Sequence, residues 1–184
     1  MEALNLYHIS IKYVRNLSHI SDRVFSVSPQ TGKNDRPFLG IITLVNGKQY
    51  CIPLTSPKEK HKRMKSDIDL IKIFDVSGRD ENNQFLLIGI LNLNNMIPVN
   101  ESVITPVDLT LLEADSSDVT KYKIFMNKQL SWCRKNVDMI QRRADRVYRL
   151  VTETPDKNRR LTLRSLPFIK LEGALEKYTQ KKDE

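Results

Sequence analysis

Thr55, Ser56 and Lys58 bracket Pro57 where an apolar, β-rich run gives way to Glu59-Lys60-His61-Lys62-Arg63-Met64-Lys65. Two hydroxyls, a proline-fixed bend and a dense cationic cluster at a strand end suit a phosphodiester. Cleavage of RNA without a metal begins with attack of a ribose 2′-OH on the adjacent phosphate. It needs a group to take or steer the 2′-OH proton, a cation to hold the phosphorane charge, and a donor for the departing 5′-oxygen. Arg36, Thr55, Ser56 and Lys58 can surround one phosphate with cations and hydroxyls. Arginine stays charged, so Arg36 can clamp but not act as a base. Lys58 can do acid or base work if neighbouring positive charge lowers its pKa. His61 titrates near neutrality and is either a general acid or a phosphate contact. Without further context, Thr-Ser-Pro-Lys is equally an ordinary exposed turn.

These residues are placed by a hairpin. Phe38–Val45 and Lys48–Leu54 are β-rich runs joined by Asn46-Gly47, a strong short-range hairpin signal. The ends of an antiparallel hairpin are neighbours, so Arg36 is expected beside Thr55–Lys58. Upstream, Leu4–Ser10 reads as a strand and Ile11–Ile20 as a short amphipathic helix. The 16-residue polar stretch Ser21–Arg36 reads as a loop, long enough to suggest a functional one. Downstream, Asp67–Phe74 and Gln84–Leu93 read as strands around a polar loop, Asp75–Asn83. Met96–Val99 and Ile104–Leu112, with Pro98 and Pro106, read as edges or connectors. From Val119 the apolar period changes. Val119, Tyr122, Met126, Leu130, Cys133, Val137, Ile140, Ala144, Val147 and Val151 predict one long helix with a basic outer face and a core stripe. Trp132, beside that stripe, is expected as a core anchor. Pro155–Asn158 breaks the chain, and Phe168–Tyr178 reads as the last helix. Strands first and helices later give an α+β expectation with an antiparallel sheet, in one domain spanning residues 1–184.

The 184 residues carry a net charge of +8, and the charge is localised. Lys58–Lys65 holds five Lys/Arg against one Glu, and Asp118–Val151 holds nine against three acidic residues. Such patches fit a polyanion partner, most simply a nucleic acid, or else a solvated basic face. No apolar run approaches the length of a membrane span, and the N-terminus lacks the order of a signal peptide. Cys51 and Cys133 are too few for a disulfide framework and read as reduced core residues. A cytoplasmic protein with no membrane partner is expected. P-loop, GxGxxG, GxSxG and HExxH motifs are absent, and His8, His19 and His61 lack zinc-ligand spacing. Asp67 and Asp69 alternate without an obvious third ligand. No cofactor or metal is therefore expected.

Four motifs in order now carry a resemblance. They are Tyr7-x-x-Ser10-x-Lys12-Tyr13, Arg36-Pro37-Phe38-x-Gly40-Ile41, Pro53-Leu54-Thr55-Ser56-Pro57-Lys58 and Asn92-Leu93-x-x-Asn95-Met96-Ile97-Pro98. Together they resemble the ToxN/AbiQ family of type III toxin–antitoxin toxins and abortive-infection proteins, through roughly the first hundred residues. The resemblance implies a strongly twisted antiparallel β-sheet flanked by helices, similar to the Kid/MazF toxin fold, with the long basic helix in the C-terminal half. It implies a sequence-selective, metal-independent endoribonuclease that leaves a 2′,3′-cyclic phosphate and needs no DNA. It also implies a small repeated RNA antitoxin, processed by the toxin and bound in a cyclic protein–RNA assembly. Family active-site positions map onto Thr55, Ser56, Lys58, Arg36 and Tyr13, with Ser56 first for activity. Tyr13, Lys33, Lys60, His61, Lys62, Arg63 and Lys65 are the expected RNA contacts. Two departures stand out. Residues 28–35 lack the tyrosine some relatives carry there, which leaves Gln30, Thr31 or Lys33 to meet RNA. Arginine at 36, where a relative has lysine, gives a clamp in place of a general base. Proton transfer then falls on Lys58, a relay through Ser56, or His61. The alternative is a non-catalytic RNA-binding module using the two basic patches.

Overall fold

The computed structural model describes residues 4–24, 38–43, 46–64 and 67–183. Its centre is an antiparallel sheet in the order β4-β5-β3-β2-β1-β7, with the short β6 pairing onto β3. The strands are β1 (Asn5–Ile9), β2 (Phe38–Thr43), β3 (Gln49–Thr55), β4 (Leu70–Arg79), β5 (Phe85–Asn92), β6 (Ile97–Pro98) and β7 (Ile104–Pro106). Among the described residues six helices flank them: α1 (Ile11–Ser18), α2 (Glu59–Arg63), α3 (Ser117–Lys135), α4 (Val137–Thr152), α5 (Arg159–Arg164) and α6 (Phe168–Asp183). The expected α+β class with an antiparallel sheet is what forms.

The hairpin of β2 and β3 sets the site. Gly47 sits at φ +78°, a left-handed conformation glycine adopts without steric cost. Phe38 pairs with Pro53, so the start of β2 lies beside the end of β3. β5 then pairs Leu91 with Leu54 and Ile90 with Thr55, fixing the last residues of β3 from the other side. The two prolines of the short strands lie where the sheet runs out, since proline cannot donate to a ladder.

Helices α3, α4 and α6 contribute Leu130, Cys133, Ile140, Ala144, Val147, Phe168 and Leu171 to one buried core with Tyr50, Ile52, Leu91 and Ile97 of the sheet. Tyr148 stacks on Phe168 at 5.8 Å, and Tyr50 meets the same ring edge-on at 6.0 Å. A buried carboxylate closes this cluster. Glu172 Oε1 accepts from the Tyr50 hydroxyl at 2.8 Å and the Tyr148 hydroxyl at 2.9 Å, while Lys48 lies 3.2 Å from Oε2. Desolvation raises both phenols, Tyr148 to about 12. The acid thus joins α6 and α4 to the hairpin without leaving a buried charge unpaired.

Three expectations need correction. The single long basic helix is two, α3 and α4, whereas the last helix, expected at Phe168–Tyr178, forms as α6. At Asn136 the side-chain amide donates to the Trp132 carbonyl at 2.8 Å, and the backbone N–H turns to Cys133 and Trp132. The Asn136 N–H thus takes the Cys133 carbonyl that Val137 would use to carry the helix on, while the side chain shares the Trp132 carbonyl. The polar stretch Asp75–Arg79, expected as loop, continues β4, with irregular register against β5. Lys128 of α3 holds Asp75 at 2.7 Å, and Arg79 lies 3.7 Å over the Phe85 ring. Tyr13, expected to meet RNA, is 0% exposed in the core between α1 and α6. Its hydroxyl donates to the Pro98 carbonyl at 2.8 Å, and its ring lies 5.2 Å from Tyr178. No base reaches it there.

Both cysteines are free and buried, as expected, and burial pushes the Cys133 thiol up to about 12. Trp132 packs partly buried against the core.

Candidate active site

Beyond Thr55 the chain leaves the sheet, because Pro57 cannot donate to a neighbouring strand, and winds one turn into α2. That turn is closed from both ends. The Lys58 backbone N–H donates to His61 Nδ1 at 3.0 Å, and His61 N–H donates back to the Lys58 carbonyl at 2.8 Å. Lys72 of β4 donates to the carbonyls of Lys62 at 3.3 Å and Met64 at 2.6 Å, holding the far end.

A cleft of about 1070 Å³ opens beside this segment. Thr55, Ser56, Lys58, Lys60 and His61 line it, together with Asn92, Asn94 and Asn95. Val119, Tyr122, Phe125, Met126 and Gln129 of α3 also line it, as do His8 and the segment from Pro106 to Asp108. Ser56 and Lys58 are exposed to the cleft, whereas His61 is only 8% exposed.

His61 is the electrostatic centre of this part of the lining. Burial first, then the charges of Lys60, Lys58 and Lys72, lower its pKa from the ordinary value. Because Nδ1 accepts the Lys58 N–H, the neutral ring carries its proton on Nε2. The same contact disfavours the imidazolium, which would set two donors against each other. His61 therefore offers a donor to the cleft and no free acceptor.

Three buried polar atoms have no hydrogen-bond partner among the described residues: His8 Nδ1, Thr55 Oγ1 and Gln129 Oε1. All three residues line this cleft. A buried polar atom left unsatisfied is costly, about 1–3 kcal/mol each, unless a ligand or water meets it.

Of the site residues expected from sequence, Thr55, Ser56, Lys58, Lys60 and His61 are brought together. Lys62 and Arg63 are exposed on α2 outside the cleft lining, and Lys62 pairs with Glu59 at 2.8 Å. Arg36, Lys33 and Lys65 lie outside the described residues. His8, Gln129 and Tyr122 were missed by sequence reasoning. The available signal was Gln129 itself, a polar residue on the same helical face as Met126, Leu130 and Cys133. Asp67 and Asp69, the carboxylates closest to a metal-like pattern in the sequence, are held by Arg164. Its guanidinium lies 2.7 and 2.8 Å from the two Asp69 oxygens and 2.6 Å from Asp67. Among the described residues no cluster of three His, Cys, Asp or Glu forms a metal-ligand set.

The family model of the toxin ToxN of type III toxin–antitoxin systems matches residues 5–176. The chain belongs to the ToxN toxin family. It is 33% identical over 151 residues to the endoribonuclease ToxN of Pectobacterium atrosepticum, covering 82% of each chain. It is 28% identical over 158 residues to the endoribonuclease AbiQ of Lactococcus lactis subsp. lactis, covering 83% of this chain and 78% of that one. In three dimensions it matches AbiQ, a lactococcal anti-phage endoribonuclease, with a TM-score of 0.79 at 25% identity over 97% of this chain and 99% of that one. A chain from a type III system in which a non-coding RNA pseudoknot selectively inhibits the toxin matches with a TM-score of 0.76, 25% identity and the same coverage. These ToxN-family matches span the sheet and the helices alike.

Proposed function

We propose that this ToxN-family chain is an endoribonuclease toxin that cleaves RNA in the cytoplasm without a metal, by 2′-OH attack, leaving a 2′,3′-cyclic phosphate. In the step, the 2′-oxygen forms a bond to phosphorus, the bond from phosphorus to the 5′-oxygen breaks, and one proton leaves the 2′-OH while another reaches the 5′-oxygen. Lys58 neutralises the phosphorane, with Arg36 as a second clamp. The Thr55 hydroxyl, which has no partner among the described residues, donates to a non-bridging oxygen. His61 Nε2–H donates toward the same centre. With Nδ1 occupied, His61 is no base, so the 2′-OH proton passes through the Ser56 hydroxyl to solvent water, while the Lys58 ammonium gives a proton to the departing 5′-oxygen and regains one from water.

The observation that carries the proposal is the convergence of Thr55, Ser56, Lys58 and His61 on one cleft. The relatives named as endoribonucleases support it. Inhibition of a related system by an RNA pseudoknot, and regulation of another by a processed non-coding RNA, support an RNA antitoxin as partner. A repeated antitoxin that the toxin processes, and a cyclic assembly with it, belong to the same proposal, as does a likeness of the sheet to the Kid/MazF toxins. The test is expression in bacteria with and without Ser56→Ala. The wild type is expected to arrest growth and fragment cellular RNA, and the variant to do neither. Equal harmlessness, or binding of RNA that stays intact at high protein excess, overturns the proposal.

A further inference from the structure

We propose that the α3 side of the cleft is a subsite for a nucleobase bearing an exocyclic amino group, read by the carbonyl oxygen of Gln129. This rests on the reading of the cleft as an RNA site and assigns the α3 wall, which that reading leaves without a role. Gln129 is 1% exposed. Its Nε2 donates to the Ile88 carbonyl of β5. That contact decides which end of the amide faces the sheet, since the flipped amide would oppose two carbonyl oxygens. Oε1 is consequently the end without a partner among the described residues.

The sheet is cut to receive this amide. At Gly89, next to Ile88, a Cβ would stand 2.8 Å from Gln129 Nε2 and 3.2 Å from Ile73 Cδ1. Bare backbone there lets the amide lie close against β5. A helix glutamine and a strand glycine thus hold one acceptor at the cleft, and an acceptor buried without a partner is disfavoured unless a ligand fills it.

The surrounding wall suits a base better than a phosphate. Val119 and Tyr122, expected in the core stripe, are 41% and 44% exposed, and both line the cleft with Phe125 and Met126. Apolar and aromatic side chains of this kind take the flat face of a base. The one cation of α3 in the lining, Lys123, is already committed to both Asp115 oxygens, at 3.0 and 2.9 Å, and to the Thr110 carbonyl at 2.7 Å. The other cations of the lining, Lys58 and Lys60, come from a different element, α2 and its cap. Phosphate at one element and base at the other is the division a single nucleotide requires.

Oε1 can only accept. The amino group of adenine, cytosine or guanine projects beyond the ring toward such an acceptor. The imino N–H of uracil is flanked by two carbonyl oxygens, which would crowd against Oε1. His8 Nδ1, unpartnered among the described residues on the same lining, is the remaining group for the ring edge.

The experiment uses the whole protein and an oligoribonucleotide with a mapped cleavage site. At each position around the scissile bond, adenosine is replaced by purine riboside, cytidine by pyrimidin-2-one riboside, or guanosine by inosine, deleting one amino group at a time. Wild type is expected to lose about ten- to hundredfold in kcat/KM at one position, because the buried acceptor is left unpaired. Gln129→Met is expected to cleave parent and analogue equally at that position. A flat scan with wild type, or discrimination that persists in Gln129→Met, overturns the subsite. Should Gln129→Met not fold, a photoreactive base at the sensitive position must crosslink wild type within residues 119–129, and crosslinking elsewhere overturns the proposal. If wild type leaves every RNA intact, the cleavage reading fails by itself. Equilibrium binding of the same analogues then decides the subsite by the same criterion.

Discussion

His61→Asn separates the two jobs the structure gives to one imidazole. The ring's Nδ1 holds the Lys58 N–H at 3.0 Å, while Nε2 carries the proton offered to the cleft. An asparagine amide oxygen reaches the place of Nδ1 and can accept the Lys58 N–H, but nothing replaces Nε2. The variant should stay within about 1 kcal/mol of wild type in stability, because the cap at the start of α2 survives. Loss of one donor aimed at developing charge should lower kcat about 10²- to 10³-fold, or ~2.7–4 kcal/mol. His61→Ala removes both nitrogens and a ring only 8% exposed, so it should lose similar activity and ~1–3 kcal/mol of stability besides. Single-turnover cleavage of an oligonucleotide and urea denaturation read the two quantities. Burial and the nearby lysines lower the folded-state pKa below 6.5, so the unfolded chain binds more protons as pH falls. Stability from this group is therefore full above pH 6.5 and lost as pH drops through the lower folded value, with a shallower loss in His61→Asn. An asparagine variant that cleaves within about threefold of wild type refutes the Nε2 role. Equal destabilisation of the asparagine and alanine variants refutes the cap.

Gly89→Ala should drive the Gln129 amide off the Ile88 carbonyl and cost ~1–3 kcal/mol in a denaturant melt; a change below 0.5 kcal/mol contradicts the close approach. Arg164→Ala should cost ~2–4 kcal/mol by unpairing the buried Asp69, a little under the range for fully buried pairs because the Arg164 side chain is 43% exposed. The Asp75 carboxyl is held down at about 2, mainly by Lys128 with help from Ser77, so its contribution is present above pH 3.8 and fades as pH falls toward 2. Lys128→Met should flatten that acid limb in a pH series of thermal melts.

The strand-end cluster was legible because its information is local. Asn46-Gly47 announces the hairpin, and Thr55 to His61 spans few enough residues that one turn must gather them. What sequence could not show was decided by distant partners. Asp75–Arg79 reads as polar loop because its strand character depends on Lys128 of α3 and the cross-strand Phe85 ring. The break at Asn136 is invisible to periodicity, since the apolar stripe steps from Cys133 to Val137 to Ile140 in register across it. Tyr13 sits with Val14 and Leu17 on the buried face of α1, yet its phenol drew attention as an RNA contact. Val119 and Tyr122 show the converse error. Helical spacing places them on the core face, but both are exposed and line the cleft. Gln129 follows the same logic, a polar residue on an apolar face whose meaning appears only with Ile88 and Gly89 beneath it.

Metal-free attack by the 2′-OH is tested most directly with one RNA in two forms, differing by a single 2′-deoxy substitution on the 5′ side of the scissile phosphate, each incubated with the protein in EDTA. The all-ribose strand should be cut to a product whose mass matches a 2′,3′-cyclic phosphate, and the deoxy strand should remain intact. Cleavage of the deoxy strand, or loss of all cleavage in EDTA with recovery on adding a divalent cation, contradicts the account.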